Sequence, residues 1–141
     1  MASASRSIVI DASPERVFDV IADYPRYPEF LSEVKSIHTS DRNGNQVDIH
    51  YEVDVVKRIH YTLRMVEERP RSLRWTFVKG EVMKDNHGSW ALEPTPDGRT
   101  RATYTVDVAV GLLVPRPILA ALVDSSLPKM LESFKKRVES R

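Results

Sequence analysis

The sequence contains no cysteine, and its positive and negative charges almost cancel. The missing cysteine excludes disulfide bonds, thiolate nucleophiles and cysteine-ligated zinc or iron–sulfur centres. With 21 basic and 20 acidic residues, the formal net charge of +1 gives no dominant field, so nucleic acid is not favoured as a partner. The basic run Lys135-Lys136-Arg137 is interpreted as the solvated face of a helix, near the terminus where positive charge suits the helix dipole.

Glycine and long apolar runs are also scarce. The five glycines are scattered and form no phosphate-binding loop, and there is no G-x-S-x-G nucleophile motif. The longest apolar stretch, residues 109–123, contains two prolines and an arginine and is too short to span a bilayer. The N-terminal residues lack the apolar core of a signal peptide. We therefore expect one cytoplasmic domain over residues 1–141.

The most informative segment is residues 11–31, which predicts a strand end followed by two short helices. Ser13 suits an N-cap, and Pro14 suits the first helical position, where its missing N–H costs nothing. Pro25 and Pro28 then prevent a regular helix from continuing. Apolar residues follow helical spacing before this stop and are aromatic-rich after it: Val17, Phe18, Ile21 and Ala22, then Tyr24, Tyr27, Phe30 and Leu31.

The central part of the chain alternates with the period of two that is typical of half-buried strands. We predict a short strand at residues 6–11, a second at 34–39, and a tight turn at Asn43-Gly44. Further strands are predicted over residues 46–55, 58–67, 73–77, 82–93 and 104–110, with a bulge or bend near Gly88.

The C-terminal region changes to helical spacing, as expected for an amphipathic helix. Pro128 is expected to kink or divide this helix. Six consecutive strands joined by short turns imply an antiparallel meander, and the helix is the only long element left to cover its apolar face. The predicted class is α+β, a curved sheet of about seven strands around a long helix that carries Leu119, Leu122, Val123, Leu127, Met130, Leu131, Phe134 and Val138.

These motifs resemble the START-like, or polyketide cyclase/dehydrase, superfamily, whose domains have the helix-grip fold. The resemblance runs from about Ile8 to Val138 and is strongest to the branch of coenzyme Q-binding proteins and ribosome association toxins. It implies two short helices after the first strand, but because the superfamily mixes enzymes, lipid carriers and ligand sensors, it does not fix the activity. The matching residues are Ala12, Glu15, Val17, Phe18, Val20, Ile21 and Asp23, then Tyr27, Pro28, Phe30 and Leu31, and the run Gly88-Ser89-Trp90-Ala91-Leu92.

Metal and nucleophile chemistry find little support in the sequence. No two of His38, His50, His60 and His87 have helical metal-binding spacing, so we expect surface imidazoles and no metal site. His87, together with Asp85, could reach the rim of a cavity. Ser125-Ser126 precedes Pro128 without an assignable acid or base partner, which favours a structural role. We expect no cofactor.

The predicted inner faces carry aromatic rings with polar tips in an apolar wall, which is typical of a pocket for a hydrophobic ligand. A solid core is the alternative. Strand parity places no charge inside, and it puts Arg64 and Asp107 on the outer face. The candidate ligand-binding residues are Tyr51, Tyr61, Leu63, Trp75, Phe77, Trp90, Tyr104, Val106, Leu122, Met130 and Phe134.

The segment from Gly111 to Ile118 joins the last strand to the helix and is unusually apolar for a loop. We favour its packing under the curled sheet. A mobile lip at the cavity mouth, or a patch that contacts a membrane transiently, are the alternatives.

Three functions follow from the sequence. The favoured one is non-catalytic binding of a hydrophobic small molecule such as a lipid, quinone, isoprenoid or polyketide. The second is an aromatase/cyclase or dehydratase that positions a polyketide chain and uses Tyr51, Tyr61 or Tyr104 as an acid or base. The third is a ribosome- or protein-binding module. Catalytic residues and oligomeric state stay open.

Overall fold

The structure is a computed structural model that describes residues 2–54, 58–111 and 115–140, without the side chains of Ala2, Arg116 and Leu122. A helix α1 (Pro14–Ile21) and a 3₁₀ helix (Tyr24–Glu29) separate the first two strands, and a long helix α2 (Arg116–Glu139) follows the last one. The described strands are β1 (Ala2–Ile10), β2 (Val34–Asn43), β3 (Gln46–Asp54), β4 (Arg58–Glu68), β5 (Ser72–Gly80), β6 (Met83–Pro94) and β7 (Thr100–Val110).

The seven strands form one antiparallel sheet in the order β1-β7-β6-β5-β4-β3-β2. Consecutive strands from β2 to β7 are neighbours, so the predicted meander and the α+β helix-grip architecture are confirmed. The curved sheet holds α2 against its inner face, where Leu131, Phe134 and Val138 are buried. None of the described helices is long and apolar enough to cross a membrane.

The segment after β1 folds as its sequence predicts. The Ser13 side chain caps α1 by accepting a hydrogen bond from the Arg16 amide, and Pro14 is the first helical residue. Beyond the α1 end, the two prolines are accommodated in a 3₁₀ helix, which buries Tyr24 and Tyr27. This region therefore anchors two large aromatic residues beneath the sheet.

Strand β1 begins at Ala2, four residues before the predicted start. The sequence did not indicate this part of the strand, because residues 2–5 are alanine and serine and carry no large apolar side chain. Serines occupy alternate positions: Ser3 pairs with Asp107 of β7, and the next two serines pair with threonines of that strand. The Ser5 and Thr105 hydroxyls lie 3.1 Å apart, and those of Ser7 and Thr103 lie 2.8 Å apart. Small hydroxyl side chains thus supply the cross-strand contacts that hydrophobic alternation supplies elsewhere.

A bulge or bend is expected from the sequence near Gly88, and the pairing of β6 with β7 has no bulge there, although the pairing of β6 with β5 ends at Gly88. The pairing of β6 with β7 is regular at Gly88 and becomes irregular between Met83 and Asp85. Glycine at position 88 serves close packing instead, since a Cβ there would lie 2.2 Å from the Thr105 carbonyl oxygen and 2.7 Å from Cζ2 of Trp75.

Helix α2 is continuous through Pro128, so of the two expected effects, a kink or a division, the division is wrong. Proline lacks the N–H that would bond to the Asp124 carbonyl, which removes one helical hydrogen bond. Burial of Leu127 and Leu131 on either side holds both halves against the rest of the fold. In the preceding apolar segment, residues 112–114 lie outside the described part of the chain, and Ile118 is exposed.

Candidate functional site

A cavity of about 130 Å³ lies between the inner face of the sheet, the 3₁₀ helix region and α2. A water molecule occupies about 30 Å³ in the liquid, and an engineered protein cavity of about 150 Å³ binds benzene, so this space suits a group about the size of one ring. Its wall is formed by Tyr27, Leu31, Val34, Tyr51, Tyr61, Leu63, Met65, Trp75, Asn86, Trp90, Tyr104, Met130 and Phe134.

Strands β3 and β4 contribute a stacked tyrosine pair. Tyr51 lies directly opposite Tyr61, and the ring centroids are 4.9 Å apart. On the other side of Tyr61, Gly80 is its partner in β5, and a Cβ at this glycine would lie only 2.6 Å from Cβ of Tyr61. Glycine at position 80 therefore lets β5 approach the tyrosine.

Strands β5, β6 and β7 contribute an aromatic cluster that contacts α2. Trp90 is the cross-strand partner of Tyr104, and their ring centroids are 5.0 Å apart. The Tyr104 ring also packs against Trp75 at 5.2 Å, and the Trp90 ring contacts Phe134 of α2 at 5.2 Å. The rings join sheet to helix and form a rigid apolar wall.

Asn86 is the polar cavity residue that our sequence analysis missed. It is 8% exposed, and its Oδ1 accepts a 3.0 Å hydrogen bond from Nε1 of Trp75. An indole N–H can only donate, so this bond fixes the amide with its oxygen toward Trp75. In a strand, every second residue faces the same side, so Asn86 shares the inner face with Gly88 and Trp90. This alternation is the sequence signal that could have identified Asn86 as a cavity residue.

The tyrosine hydroxyls of the cavity differ in their bonding. The Tyr27 hydroxyl donates to the Ile21 carbonyl. Those of Tyr51, Tyr61 and Tyr104 have no hydrogen-bond partner within residues 2–54, 58–111 and 115–140. Burial raises the pKa of all three hydroxyls still further above physiological pH, so each stays protonated and can donate a hydrogen bond.

No Asp, Glu, His, Lys or Arg is part of the cavity wall among the residues that the structure describes. Arg64 and Asp107 lie outside it, as parity predicts. Arg64 forms a two-pronged ion pair with Asp48 on the outer face, at 2.9 and 3.2 Å, and Asp107 lies 3.3 Å from His87. The wall is therefore apolar with a few neutral polar groups.

Most of the candidate residues predicted from the sequence come together at the cavity. Val106 is instead buried in the core, and Phe77 packs against the core. Next to Phe77 the pairing of β4 with β5 is irregular, because Thr62 pairs with Lys79 whereas Leu63 pairs with Phe77. The Leu122 side chain lies outside the described residues. The predicted residues that line the cavity are Tyr51, Tyr61, Leu63, Trp75, Trp90, Tyr104, Met130 and Phe134.

The histidines lie away from the cavity. The His38 and His50 rings stack across β2 and β3, while His60 contacts Glu52 and Glu81 at 3.7 and 3.0 Å. His87 lies between Asp85 and Asp107 instead of at the cavity rim. Across the described ranges, no cluster of three or more His, Asp or Glu side chains has the arrangement of a metal site.

A larger groove, about 600 Å³, contains three of these histidines. Some of its polar side chains bond to one another: Ser36 donates to Glu52 at 3.0 Å, and His50 contacts Thr62 at 2.9 Å. The groove is the more open of the two and is lined mainly by polar and charged side chains, so the inner cavity is the better candidate site for the predicted hydrophobic ligand.

Comparisons with known proteins agree with this architecture. The family model "Polyketide cyclase / dehydrase and lipid transport" matches residues 1–139. A START superfamily protein from Mycobacterium smegmatis superposes with a TM-score of 0.88 at 18% identity, covering 99% of both chains. The Zhui aromatase/cyclase from Streptomyces sp. R1128 gives 0.89 at 16% identity, covering 99% of this chain and 94% of its own.

A STAR-related lipid transfer protein from Xanthomonas axonopodis gives a TM-score of 0.80 at 14% identity, covering 97% of this chain and 85% of its own. No curated protein matches the sequence significantly. At such low identities, the structural similarity establishes the shared fold alone.

Proposed function

The chain belongs to the polyketide cyclase/dehydrase and lipid transport family, and on that basis we propose that residues 1–141 form one domain that binds a hydrophobic small molecule in the cavity beneath α2. The observation that carries the proposal is the cavity wall, which combines aromatic rings with neutral polar groups. Such a wall buries an apolar ligand and orients it with a few hydrogen bonds.

The cavity size limits what the described conformation accommodates. A space of about 130 Å³ accepts one ring or a short branched group, whereas sites for drug-sized ligands span about 300–1,000 Å³. A lipid, quinone or polyketide would place only one such group inside, unless α2 moves away from the sheet. We therefore propose that Met130 and Phe134, which form the helical side of the wall, separate from the sheet when a larger ligand enters.

Catalysis by a cyclase or dehydratase is the second candidate. It is supported by the family and by the free hydroxyls of Tyr61 and Tyr104, which could donate a hydrogen bond to a reacting carbonyl. Against it, the raised pKa of each hydroxyl makes it a weak proton donor, and no charged group lines the described wall to act with it. Ligand binding without catalysis is therefore favoured. The resemblance of the sequence to the branch of coenzyme Q-binding proteins is consistent with this function.

A blocking variant tests binding. Met130→Trp places an indole into a cavity of about ring size, and Glu132→Trp adds the same ring at an exposed position of α2 as the control. The proteins are purified from the native host, and native mass spectrometry with lipid extraction detects any retained passenger. Titration with α-methylstyrene, followed by tryptophan fluorescence and by NMR shifts, measures occupancy of the cavity directly.

We expect the parent and Glu132→Trp proteins to bind α-methylstyrene with NMR shifts at cavity residues, and Met130→Trp to lose this binding while staying folded by circular dichroism. A retained passenger in the parent, absent from Met130→Trp, would identify the ligand class. If the folded parent neither retains a passenger nor binds the probe, the proposal is wrong. Conversion of an aromatic-forming polyketide substrate would favour the enzyme instead.

A further inference from the structure

The hydroxyls of Tyr51 and Tyr61 lack an acceptor among the described residues on the β3–β4 side of the cavity, and three further hydrogen-bond donors lack one on the β6–β7 side. These three are Nδ2 of Asn86, Nε1 of Trp90 and the hydroxyl of Tyr104, and none bonds to a group of the described residues. Among those residues, the one fully enclosed side-chain polar atom without a partner is Nη2 of Arg16. The three donors therefore retain accessible surface, and the cavity is the pocket that their residues border.

The donors belong to one wall of the cavity. Trp90 and Tyr104 are direct partners across β6 and β7, and Asn86 lies on the same face of β6, two alternations before Trp90. The Trp75 ring connects them, because it packs against Tyr104 and donates its own N–H to Asn86.

The hydrogen bond from Trp75 determines that Asn86 presents hydrogen-bond donors to the cavity and no acceptor. It occupies the Asn86 oxygen, the acceptor of the amide, and leaves the two N–H bonds of Nδ2 free. Trp90 can only donate, and the neutral Tyr104 hydroxyl donates readily. A donor left without a partner in a buried site carries a free-energy cost, which an acceptor atom of a ligand relieves.

We propose that this wall selects ligands whose buried ring or short branched group carries an uncharged acceptor oxygen, such as the carbonyl of a ketone. The inference rests on the proposed function, because it assumes that the cavity binds a small molecule. A carboxylate of the same size is disfavoured, since its burial needs a compensating cation and none lines the described wall. Asn86 is then a specificity-determining residue, and Trp75 positions it.

A matched set of probes isolates the acceptor. Acetophenone and α-methylstyrene have nearly the same shape and differ in a C=O in place of a C=CH₂ group, and benzoate adds the negative charge. Dissociation constants are measured by tryptophan fluorescence and confirmed by NMR shifts of cavity residues. The reported quantity is the affinity of acetophenone divided by that of α-methylstyrene, which cancels effects common to both probes.

Asn86→Leu removes the amide donors, and Tyr104→Phe removes the hydroxyl while keeping the ring. Met65→Leu is the control, because it changes an apolar residue on the β4 side of the same cavity with little change in volume. We expect the affinity ratio to fall about 5-fold in each donor variant, which is the effect of one hydrogen bond, and to stay within 2-fold in Met65→Leu. Benzoate is expected to bind at least 10-fold more weakly than acetophenone.

The outcomes separate the two proposals. If both uncharged probes bind and the ratio is unaffected by Asn86→Leu and Tyr104→Phe, the cavity binds apolar molecules but the acceptor selection is wrong. If neither probe binds to the folded parent protein and the parent retains no passenger, the proposed function itself fails. Asn86→Leu also deprives Trp75 of its acceptor, so Tyr104→Phe provides the test should that variant not fold.

Discussion

The indole N–H of Trp75 donates a 3.0 Å hydrogen bond to Oδ1 of Asn86, so a core aromatic residue orients the amide that borders the cavity. We expect Trp75→Ala to lower the free energy of unfolding by about 3–5 kcal/mol, the range for losing a large buried ring, and to weaken binding of α-methylstyrene. Trp75→Phe keeps an aromatic ring and removes the donor, so it should be milder.

The specific expectation for Trp75→Phe is a reduced preference for acetophenone over α-methylstyrene, because the Asn86 amide can then rotate. Urea denaturation gives the stability of each variant, and the probe titrations give the preference. If Trp75→Phe retained the full preference, the hydrogen bond would stabilise the fold without positioning Asn86.

A side chain at position 88 is expected to destabilise the protein. In Gly88→Ala the added Cβ would meet the Thr105 carbonyl oxygen at 2.2 Å and the Trp75 ring at 2.7 Å, so strand or ring must shift. Overpacking of this kind costs about 1–3 kcal/mol. Gly111→Ala is the matched control, because its Cβ would have no neighbour closer than 3.6 Å among the residues that the structure describes. Equal midpoints of urea unfolding for both variants would contradict the close approach of Trp75.

The ion pair between Asp48 and Arg64 is expected to make stability depend on acid pH. The hydrogen bond from Arg64 lowers the pKa of the Asp48 carboxyl in the folded protein. A lowered folded-state pKa stabilises the fold above the unfolded-state pKa of about 3.9, and this contribution is lost as the pH falls through the folded-state value. Asp48→Asn should therefore destabilise the protein at pH 7 and flatten its loss of stability below about pH 4.

Urea unfolding at pH 7 and at pH 3 measures both effects, with the exposed carboxylate variant Asp124→Asn as the control. The salt bridge is partly open to solvent on the Arg64 side, so added salt should reduce the difference. An Asp48→Asn variant that followed the parent protein at both pH values would show that the pair contributes nothing to stability.

Tyr61→Phe is expected to leave the free energy of unfolding almost unchanged, because its hydroxyl has no acceptor in the described part of the chain. The stacking on Tyr51 depends on the ring and is retained. Differential scanning calorimetry compares the variant with Tyr24→Phe, whose hydroxyl donates to Glu67 at 2.7 Å and whose loss should lower Tm. A larger decrease for Tyr61→Phe would reveal a structural role of its hydroxyl.

The sequence was most informative where apolar alternation is regular. Val47 and Ile49 in β3 are buried as predicted, and the same parity brings Trp75 and Tyr104 to the cavity. The early part of β1 escaped prediction because its serines pair with β7 through hydroxyl groups, a contact whose partner lies far away in the sequence.

The cavity was only partly predictable for a related reason. Asn86 is a polar residue on an inner face, and a polar residue in a strand ordinarily indicates the solvent side. Its burial depends on the Trp75 N–H eleven residues earlier, which becomes a partner only when β5 pairs with β6. Phe77 shows a different limit: it pairs with Leu63 and packs against the core as parity predicts, yet it does not line the cavity, because parity selects a face of the sheet and not a position along it.

The strand order also bears on the sequence of events during folding. The hairpins from β2 to β7 join elements that are neighbours in the chain, whereas Ser5 and Thr105, which pair β1 with β7, are 100 residues apart. The entropy of closing so long a loop favours β1 joining a meander that is already formed. Ile10→Val should then accelerate unfolding with little change in the folding rate, while Ile49→Val in β3 should slow folding, as stopped-flow measurements can determine. The strand that begins the described fold would thus be the last to add to its sheet.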